Sequence, residues 1–169
     1  MLTGPQLTAL KIDILADPVL NAFPNNDDGN FAIAAAYNLT VVPDYWVWRT
    51  SVGKMEVTQQ TSVDGTNFNW TGNGFITRSA GEISAWVELF GVTGNVNPSL
   101  SNVRQAFSDI FSGSGNAAAN RTHLLTAARR KAKRAEKLFA TGTGSTAVPG
   151  LMTFEGNLTP SDVSTARNV

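Results

Sequence analysis

The chain has 169 residues, of which 42% are hydrophobic and 15% are charged, so it can bury one core of ordinary size beneath a polar but weakly charged surface. Thirteen basic and thirteen acidic side chains give a net charge of zero at pH 7. The lack of cysteine excludes a disulfide framework and a thiolate metal site, and no apolar run reaches the 18 residues that a membrane span needs.

The N-terminal residues 1–6 lack the basic start of a signal peptide, so we expect a protein of the cell interior or of an assembled particle. The charges are unevenly distributed along the sequence. Residues 1–100 carry four basic and nine acidic side chains, a net charge of −5, whereas residues 121–137 carry seven basic and one acidic, a net charge of +6. Such a basic segment is typical of contact with a polyanion or with an acidic partner surface.

Two helices are predicted in the first 43 residues. The first runs from a capping-box pair, Thr3 and Gln6, to the helix-stopping sequence Asp17-Pro18, with apolar residues at helical spacing between them. The second follows a polar loop at 24–29, is capped by Asp27 and Asp28, and ends before Pro43.

The middle of the chain is harder to interpret. The aromatic segment 45–52 is compatible with a strand or a short helix, and its large side chains are expected in the core. Glycines and aromatic residues at 53–80 predict a loop or a small hairpin. Apolar residues at helical spacing then predict helices over 82–90 and from Asn97-Pro98 to residue 110.

The longest predicted helix covers residues 117–139, where small and apolar side chains recur every three or four residues. A glycine-threonine linker at 141–145 follows, and then a mostly polar tail. The sequence therefore predicts a mainly α protein: a helical bundle at 1–140 with a small loop or hairpin insertion, and a linker with an extended C-terminal arm at 141–169.

The basic residues of the predicted helix 117–139 form the first candidate binding surface, which faces either DNA or an acidic partner. A solvated face of an amphipathic helix explains the same pattern about as well. No aromatic residue interleaves with the cations, which disfavours stacking on single strands. The cations concerned are Arg121, Arg129, Arg130, Lys131, Lys133, Arg134 and Lys137.

The predicted C-terminal arm is the second candidate. Its few apolar residues cannot bury much surface by themselves, so we expect the arm to dock on a neighbouring subunit and to become ordered on assembly. A terminus folded back on its own core, or a disordered tail, is the alternative. The residues of this candidate assembly arm are Thr141, Gly142, Gly144, Pro149, Leu151, Met152 and Phe154.

Catalysis has little support in the sequence. His123 is the sole histidine, and Asp27-Asp28 is explained as a helix cap. The glycine-rich stretch 142–145 lacks the lysine of a phosphate-binding loop. We therefore expect a protein that is not an enzyme, with no catalytic, cofactor-binding or metal-binding residues.

The segment RAEKLFATGTGS at 134–145, followed by Pro149 and by MTFEG at 152–156, resembles the C-terminal signature of a family of small structural proteins of tailed bacteriophages. The resemblance extends to LKIDILADPVLNAFPNNDDGNFAIAAAYN at 10–38 and to VWRTSV at 47–52, in the same order. Genes of this family lie among those of the phage head and neck.

The resemblance implies a virion protein, assembled in the host cytoplasm, that acts as a head-to-tail connector, also called a neck or adaptor protein. Such connectors are typically helical, form a homo-oligomeric ring, usually of twelve copies, below the portal protein, and often send a terminal arm onto the portal. Contacts with other neck or tail proteins and non-specific contact with genomic DNA are expected, and no membrane partner. A tail-completion protein, a capsid-associated protein and a free nucleic-acid-binding protein remain the alternatives.

Overall fold

The computed structural model describes residues 1–169 and consists mainly of α-helices. About half of the residues are helical and a tenth lie in strands, which confirms the predicted mainly α class. The chain divides into two compact units: unit 1 comprises Met1–Val47 and Lys131–Val169, and unit 2 comprises Trp48–Arg130. No helix combines the length and the apolar character that crossing a bilayer requires.

Nine α-helices and six short strands make up the regular structure. In chain order the helices are α1 (Gly4–Ala16), α2 (Pro18–Asn21), α3 (Asp27–Tyr37), α4 (Lys54–Gln59), α5 (Ala80–Phe90), α6 (Ser101–Ile110), α7 (Asn116–Ala127), α8 (Arg134–Leu138) and α9 (Pro160–Asn168). The strands are β1 (Trp46–Trp48), β2 (Val52–Gly53), β3 (Asn95–Val96), β4 (Arg129–Lys131), β5 (Ala140–Thr141) and β6 (Leu151–Met152). The chain passes between the units within β1 and β4.

Unit 1 is a helical cluster closed by the C-terminal helix. Its first helix starts at the predicted capping box, in which the Thr3 backbone N–H donates to the Gln6 side chain at 2.9 Å. Helix α9 packs against α1 and α3. The buried core is largely aliphatic and consists of Leu2, Leu10, Ile14, Leu20, Ile33, Ala34, Tyr37, Ala135, Phe139, Leu158, Val163 and Ala166.

Unit 2 surrounds a cluster of aromatic rings. Its helix α5 starts at a capping box between Ser79 and Glu82 and ends at Gly91, whose φ of +50° favours glycine. The buried core consists of Val52, Val57, Phe68, Trp86, Phe90, Val96, Phe107, Ile110, Phe111, Leu124 and Ala128.

The insertion predicted at 53–80 contains a short helix, α4, and a 3-10 turn at Gly72–Gly74. No hairpin forms within it. Instead, strand β2 pairs antiparallel with the distant β3, and Val52 lies opposite Val96.

The long helix predicted over 117–139 is interrupted. Helix α7 ends at Ala127, residues 129–131 are extended, and α8 begins at Arg134. Long-range hydrogen bonds account for the break: the backbone N–H of Arg49 donates to the carbonyl of Ala128 at 2.9 Å, and that of Ala132 donates to the carbonyl of Tyr45 at 2.8 Å. The predicted basic helix is therefore not a single element.

Residues 141–169 belong to unit 1, so the chain is not divided at residue 140 as predicted. Leu158 and Val163 lie in the core with at most 2% of their surface exposed. The short apolar patch of the predicted arm also packs inside the unit, since the ring of Phe154 contacts that of Phe139 at 5.5 Å. The C-terminal segment is thus folded back on its own core, which was the alternative to an extended arm.

Candidate functional site

Unit 1 has a groove of about 740 Å³ between the end of α3 and helix α8, which we call the α3–α8 groove. Two branched apolar side chains stand in it, Leu39 with 67% and Val42 with 87% of its surface exposed. The groove is lined by Asp13, Ala36, Leu39, Thr40, Val41, Val42, Arg134, Lys137 and Leu138. Adjacent exposed apolar side chains in a concavity are typical of a binding surface.

Backbone hydrogen bonds hold the two walls of the groove together. The N–H of Val41 donates to the carbonyl of Ala132 at 3.0 Å, and the N–H of Arg134 donates to the carbonyl of Leu39 at 2.9 Å. Thr40 and Lys133, between these pairs, form an antiparallel bridge. Because each wall is tied to the other by main-chain bonds, we infer that the groove is preformed.

A charged network closes one side of the groove. The guanidinium of Arg134 forms ion pairs with Asp17 at 2.9 Å and with Asp13 at 3.0 Å, and it lies 4.7 Å from the centre of the Tyr37 ring. The Tyr37 hydroxyl donates a hydrogen bond to Asp13. Arg134 is therefore neutralised by its neighbours and orders the site.

The pKa values of these groups are shifted in ways that keep Arg134 and Asp17 charged and Tyr37 protonated. Burial and the hydrogen bond to Asp13 raise the pKa of Tyr37. Burial lowers the pKa of Arg134, but its bonds to Asp13 and Asp17 outweigh this effect and raise it. The pKa of Asp17 is lowered by the backbone N–H of Leu20 and by Arg134.

Lys137 is the cation of the groove that has no carboxylate partner. Its ammonium lies 5.8 Å from the centre of the Tyr45 ring and forms no ion pair, and the residue is exposed. The groove thus offers two apolar side chains beside an available positive charge. This combination suits a partner that presents an apolar side chain next to a carboxylate.

The remaining predicted basic residues are divided between the two units. Three of them, Arg121, Arg129 and Arg130, belong to unit 2 and are half-buried. Arg121 donates to the carbonyl of Phe111 at 2.7 Å, and Arg129 forms an ion pair with Asp64 at 3.1 Å.

The other basic residues belong to unit 1, where each is bonded locally. Lys131 pairs with Asp44 at 2.8 Å, and Lys133 donates to the side chain of Asn157 at 2.6 Å. Counted by unit, six basic and eight acidic residues give unit 1 a net charge of −2, whereas seven basic and five acidic residues give unit 2 a net charge of +2. The basic run of the sequence is therefore divided and largely compensated in the fold.

The predicted arm residues hold a turn in place instead of forming a free segment. Thr141 pairs with Leu151 across the β5–β6 ladder. The Tyr45 hydroxyl donates to the carbonyl of Gly142 at 2.9 Å, and the Tyr45 ring lies directly against Gly144. Among the other arm residues, Pro149 is buried, Met152 and Phe154 are half-buried, and Leu151 is 43% exposed.

His123 is fully buried in unit 2. Its Nε2 donates to the carbonyl of Val57 at 2.7 Å, so its Nδ1 accepts from the Thr66 hydroxyl at 3.0 Å. The Nε2 bond therefore joins α7 to α4, and the Nδ1 bond joins α7 to the loop after α4. No three His, Cys, Asp or Glu side chains come together in a way that could hold a metal ion.

Sequence reasoning found Arg134 and Lys137 but missed the apolar part of the groove. The mostly apolar stretch 39–42 at the end of the second predicted helix is a signal in the sequence. Its exposure follows from the bridge between Thr40 and Lys133, which no local pattern predicts.

Comparisons with known proteins leave the family open. No family model, no curated protein and no solved structure matches this chain.

Proposed function

We propose that the chain is a virion structural protein of a tailed bacteriophage that joins copies of itself in the head-to-tail connector, below the portal. The phage part of this proposal is supported by the segment 134–145 and its companions, which resemble the phage family. The assembly part is supported by one structural observation: an ordered apolar groove in which Leu39 and Val42 are largely exposed. A ring of copies below the portal is one arrangement in which each copy places such a surface against its neighbour.

The revised role of the C-terminal segment changes how the subunit assembles. Because residues 141–169 complete the core of unit 1, they do not extend to the portal as an arm. Contact with the neighbours is therefore assigned to the folded surface and above all to the α3–α8 groove.

The distribution of charge does not favour a free nucleic-acid-binding protein. Such a protein needs a concentrated positive surface, whereas the cations at 121–137 are divided between two units and mostly bonded to internal acceptors. A connector needs only weak contact with DNA, which this surface permits.

The proposal is tested on particles of the phage that carries the gene. Mass spectrometry of purified virions is expected to find the chain at a fixed number of copies per portal, and a particle map is expected to place it at the neck. A deletion of the gene is expected to yield filled heads that lack tails. Virions that lack the chain and infect normally would contradict the proposal.

A further inference from the structure

One exposed surface of unit 1 complements the α3–α8 groove. Helix α3 begins with Asp27 and Asp28, and Phe31 follows one turn later on the same side of the helix. Phe31 is 67% exposed and contacts no other ring, and neither aspartate forms an ion pair or a side-chain hydrogen bond. We call Asp27, Asp28 and Phe31 the acidic Phe31 face.

Phe31 differs from the other exposed aromatic residue in that its ring packs against no other ring. The other exposed aromatic residue, Trp70, packs its ring against Phe68 at 4.8 Å and Phe75 at 4.9 Å. Phe31 has no such support, so burial of its ring on assembly brings the full gain of removing it from water. Aromatic residues, phenylalanine among them, are enriched at protein interfaces relative to the rest of the surface.

The groove and the face match in chemistry. The groove offers Leu39 and Val42 to a ring, and its volume of about 740 Å³ exceeds that of a phenylalanine side chain. Lys137 supplies a positive charge with no carboxylate partner, and the face supplies carboxylates without a cation. An ion pair between Lys137 and a carboxylate of the face compensates both charges and fixes the orientation of the contact.

Phe31 does not reach the groove of its own chain. It is not among the residues that line the groove, and Leu39 lies eight positions further along the chain, beyond the end of α3 at Tyr37. An acidic Phe31 face that binds in this groove therefore belongs to a second copy.

We infer that the α3–α8 groove of one copy binds the acidic Phe31 face of the next, with Phe31 between Leu39 and Val42 and an aspartate paired with Lys137. This inference rests on the proposed assembly function and names its contact. Because the two surfaces differ, the contact is heterologous and propagates head to tail, and it gives a closed ring when the rotation from one copy to the next closes.

Two surface variants test the contact. Phe31→Ala removes the ring and leaves the groove intact, whereas Leu39→Glu blocks the groove and leaves the face intact. Both positions are exposed, so thermal unfolding followed by circular dichroism is expected to be unchanged. Sedimentation velocity at rising concentration is expected to show oligomers for the wild type and self-association weakened about 30-fold or more for each variant.

Mixing the two variants gives the decisive measurement. A 1:1 mixture contains one complementary pair of surfaces, so it is expected to form heterodimers and nothing larger. Ile76→Ala, which truncates a side chain that is 71% exposed in unit 2, is the matched control and is expected to assemble like the wild type.

A charge exchange provides a second readout: Lys137→Glu is expected to weaken assembly, and adding Asp28→Lys is expected to restore it.

The inference is overturned if Phe31→Ala assembles like the wild type, if the mixture stays monomeric, or if the wild type is monomeric up to its solubility limit. These results leave the proposed function intact when the chain is found in virions. Conversely, heterodimers from the mixture together with virions that lack the chain would keep the contact and reject the virion role.

Discussion

Unit 1 and unit 2 achieve stability in different ways. Unit 2 is one continuous segment around five buried aromatic residues, among them Trp86, which contacts three other rings. Unit 1 combines both ends of the chain around a mostly aliphatic core and depends on α9 to cover α1 and α3. Helix α9 thus completes a core that is built from two separate segments of the chain, whereas the core of unit 2 lies within one continuous segment.

The two units also differ in where their polar side chains lie and what they bond to. Unit 1 contains the network of Asp13, Asp17, Tyr37 and Arg134, the α3–α8 groove and the acidic Phe31 face. The buried polar side chains of unit 2, Asn120, His123 and Thr126, serve internal packing instead, since their hydrogen bonds join α7 to residues 57–74. We infer that unit 1 carries the assembly surfaces and that unit 2 supports the subunit as a scaffold.

Deleting residues 141–169 tests this comparison most severely. The deletion removes Leu158, Val163 and Ala166 from the core of unit 1, so hydrogen exchange at residues 1–47 is expected to become fast. The core of unit 2 lies within 48–130 and is expected to remain protected. Hydrogen exchange with mass spectrometry measures both regions in one experiment.

Removal of only the exposed residues 168–169 is the control for the deletion and is expected to leave protection unchanged. Normal protection at residues 1–47 after the long deletion would show that the C-terminal segment is an accessory arm after all.

Trp86→Ala is expected to have the largest effect of a single substitution in unit 2. Trp86 is 1% exposed and lies 5.6 Å from the ring of Phe68, 4.8 Å from that of Phe90 and 5.2 Å from that of Phe111. Truncation leaves a cavity and is expected to lower the free energy of unfolding by about 3–5 kcal/mol. Urea unfolding followed by far-ultraviolet circular dichroism provides the measurement.

Trp70→Ala is the matched control because Trp70 belongs to the same cluster but is 45% exposed. It is expected to lower the free energy of unfolding by about 0.5–1.5 kcal/mol. Equal losses for the two variants would contradict the view that unit 2 depends on its central ring.

Gly144→Ala tests how tightly the C-terminal turn fits in unit 1. Gly144 has a φ of +67°, and an added Cβ would lie 2.1 Å from the Tyr45 ring. Left-handed backbone strain and the clash together are expected to lower the free energy of unfolding by about 2–4 kcal/mol. Thermal and urea unfolding measure the change.

Gly65→Ala in unit 2 separates the two causes, because Gly65 has a φ of +75° and no atom within 4 Å of an added Cβ. Backbone strain alone is expected to lower the free energy of unfolding by about 1–2 kcal/mol there. If Gly144→Ala is no worse than Gly65→Ala, the turn does not pack as tightly as the fit to Tyr45 indicates.

Local signals predicted much of the helical structure. The capping box at Thr3 and Gln6 and the stop at Asp17-Pro18 placed the ends of α1, and apolar residues at helical spacing placed those of α5 within two residues. They did so because these signals act over three or four residues, so a linear sequence contains them completely.

Long-range bonds account for what was missed. Residues 117–139 have helical spacing, but the carbonyls of Ala128 and Ala132 accept hydrogen bonds from the distant Arg49 and Val41, which compete with a continuous helix. The glycines at 142–145 look like a flexible linker, yet Tyr45 orders them from almost a hundred residues away. The groove depends on the same kind of long-range hydrogen bond, so only its cations could be predicted from the sequence.

Asp17→Asn is expected to lower the free energy of unfolding the least, and the pH dependence of this loss identifies its cause. The asparagine side chain keeps an oxygen that accepts the N–H groups of Val19 and Leu20, but it loses the charge that pairs with Arg134. The pKa of Asp17 is lowered from 3.8 in the folded state, so its carboxylate stabilises the protein above pH 3.8 and this contribution is lost as the pH falls through the lowered pKa.

The wild type is therefore expected to exceed Asp17→Asn in free energy of unfolding near pH 6, and the difference is expected to vanish in acid. Urea unfolding at a series of pH values from 6 downward measures it. Parallel curves for the two proteins would mean that Asp17 acts through its cap on α2 alone. The polar network of unit 1 would then contribute order to the groove without contributing stability, and the contrast with unit 2 would rest on packing alone.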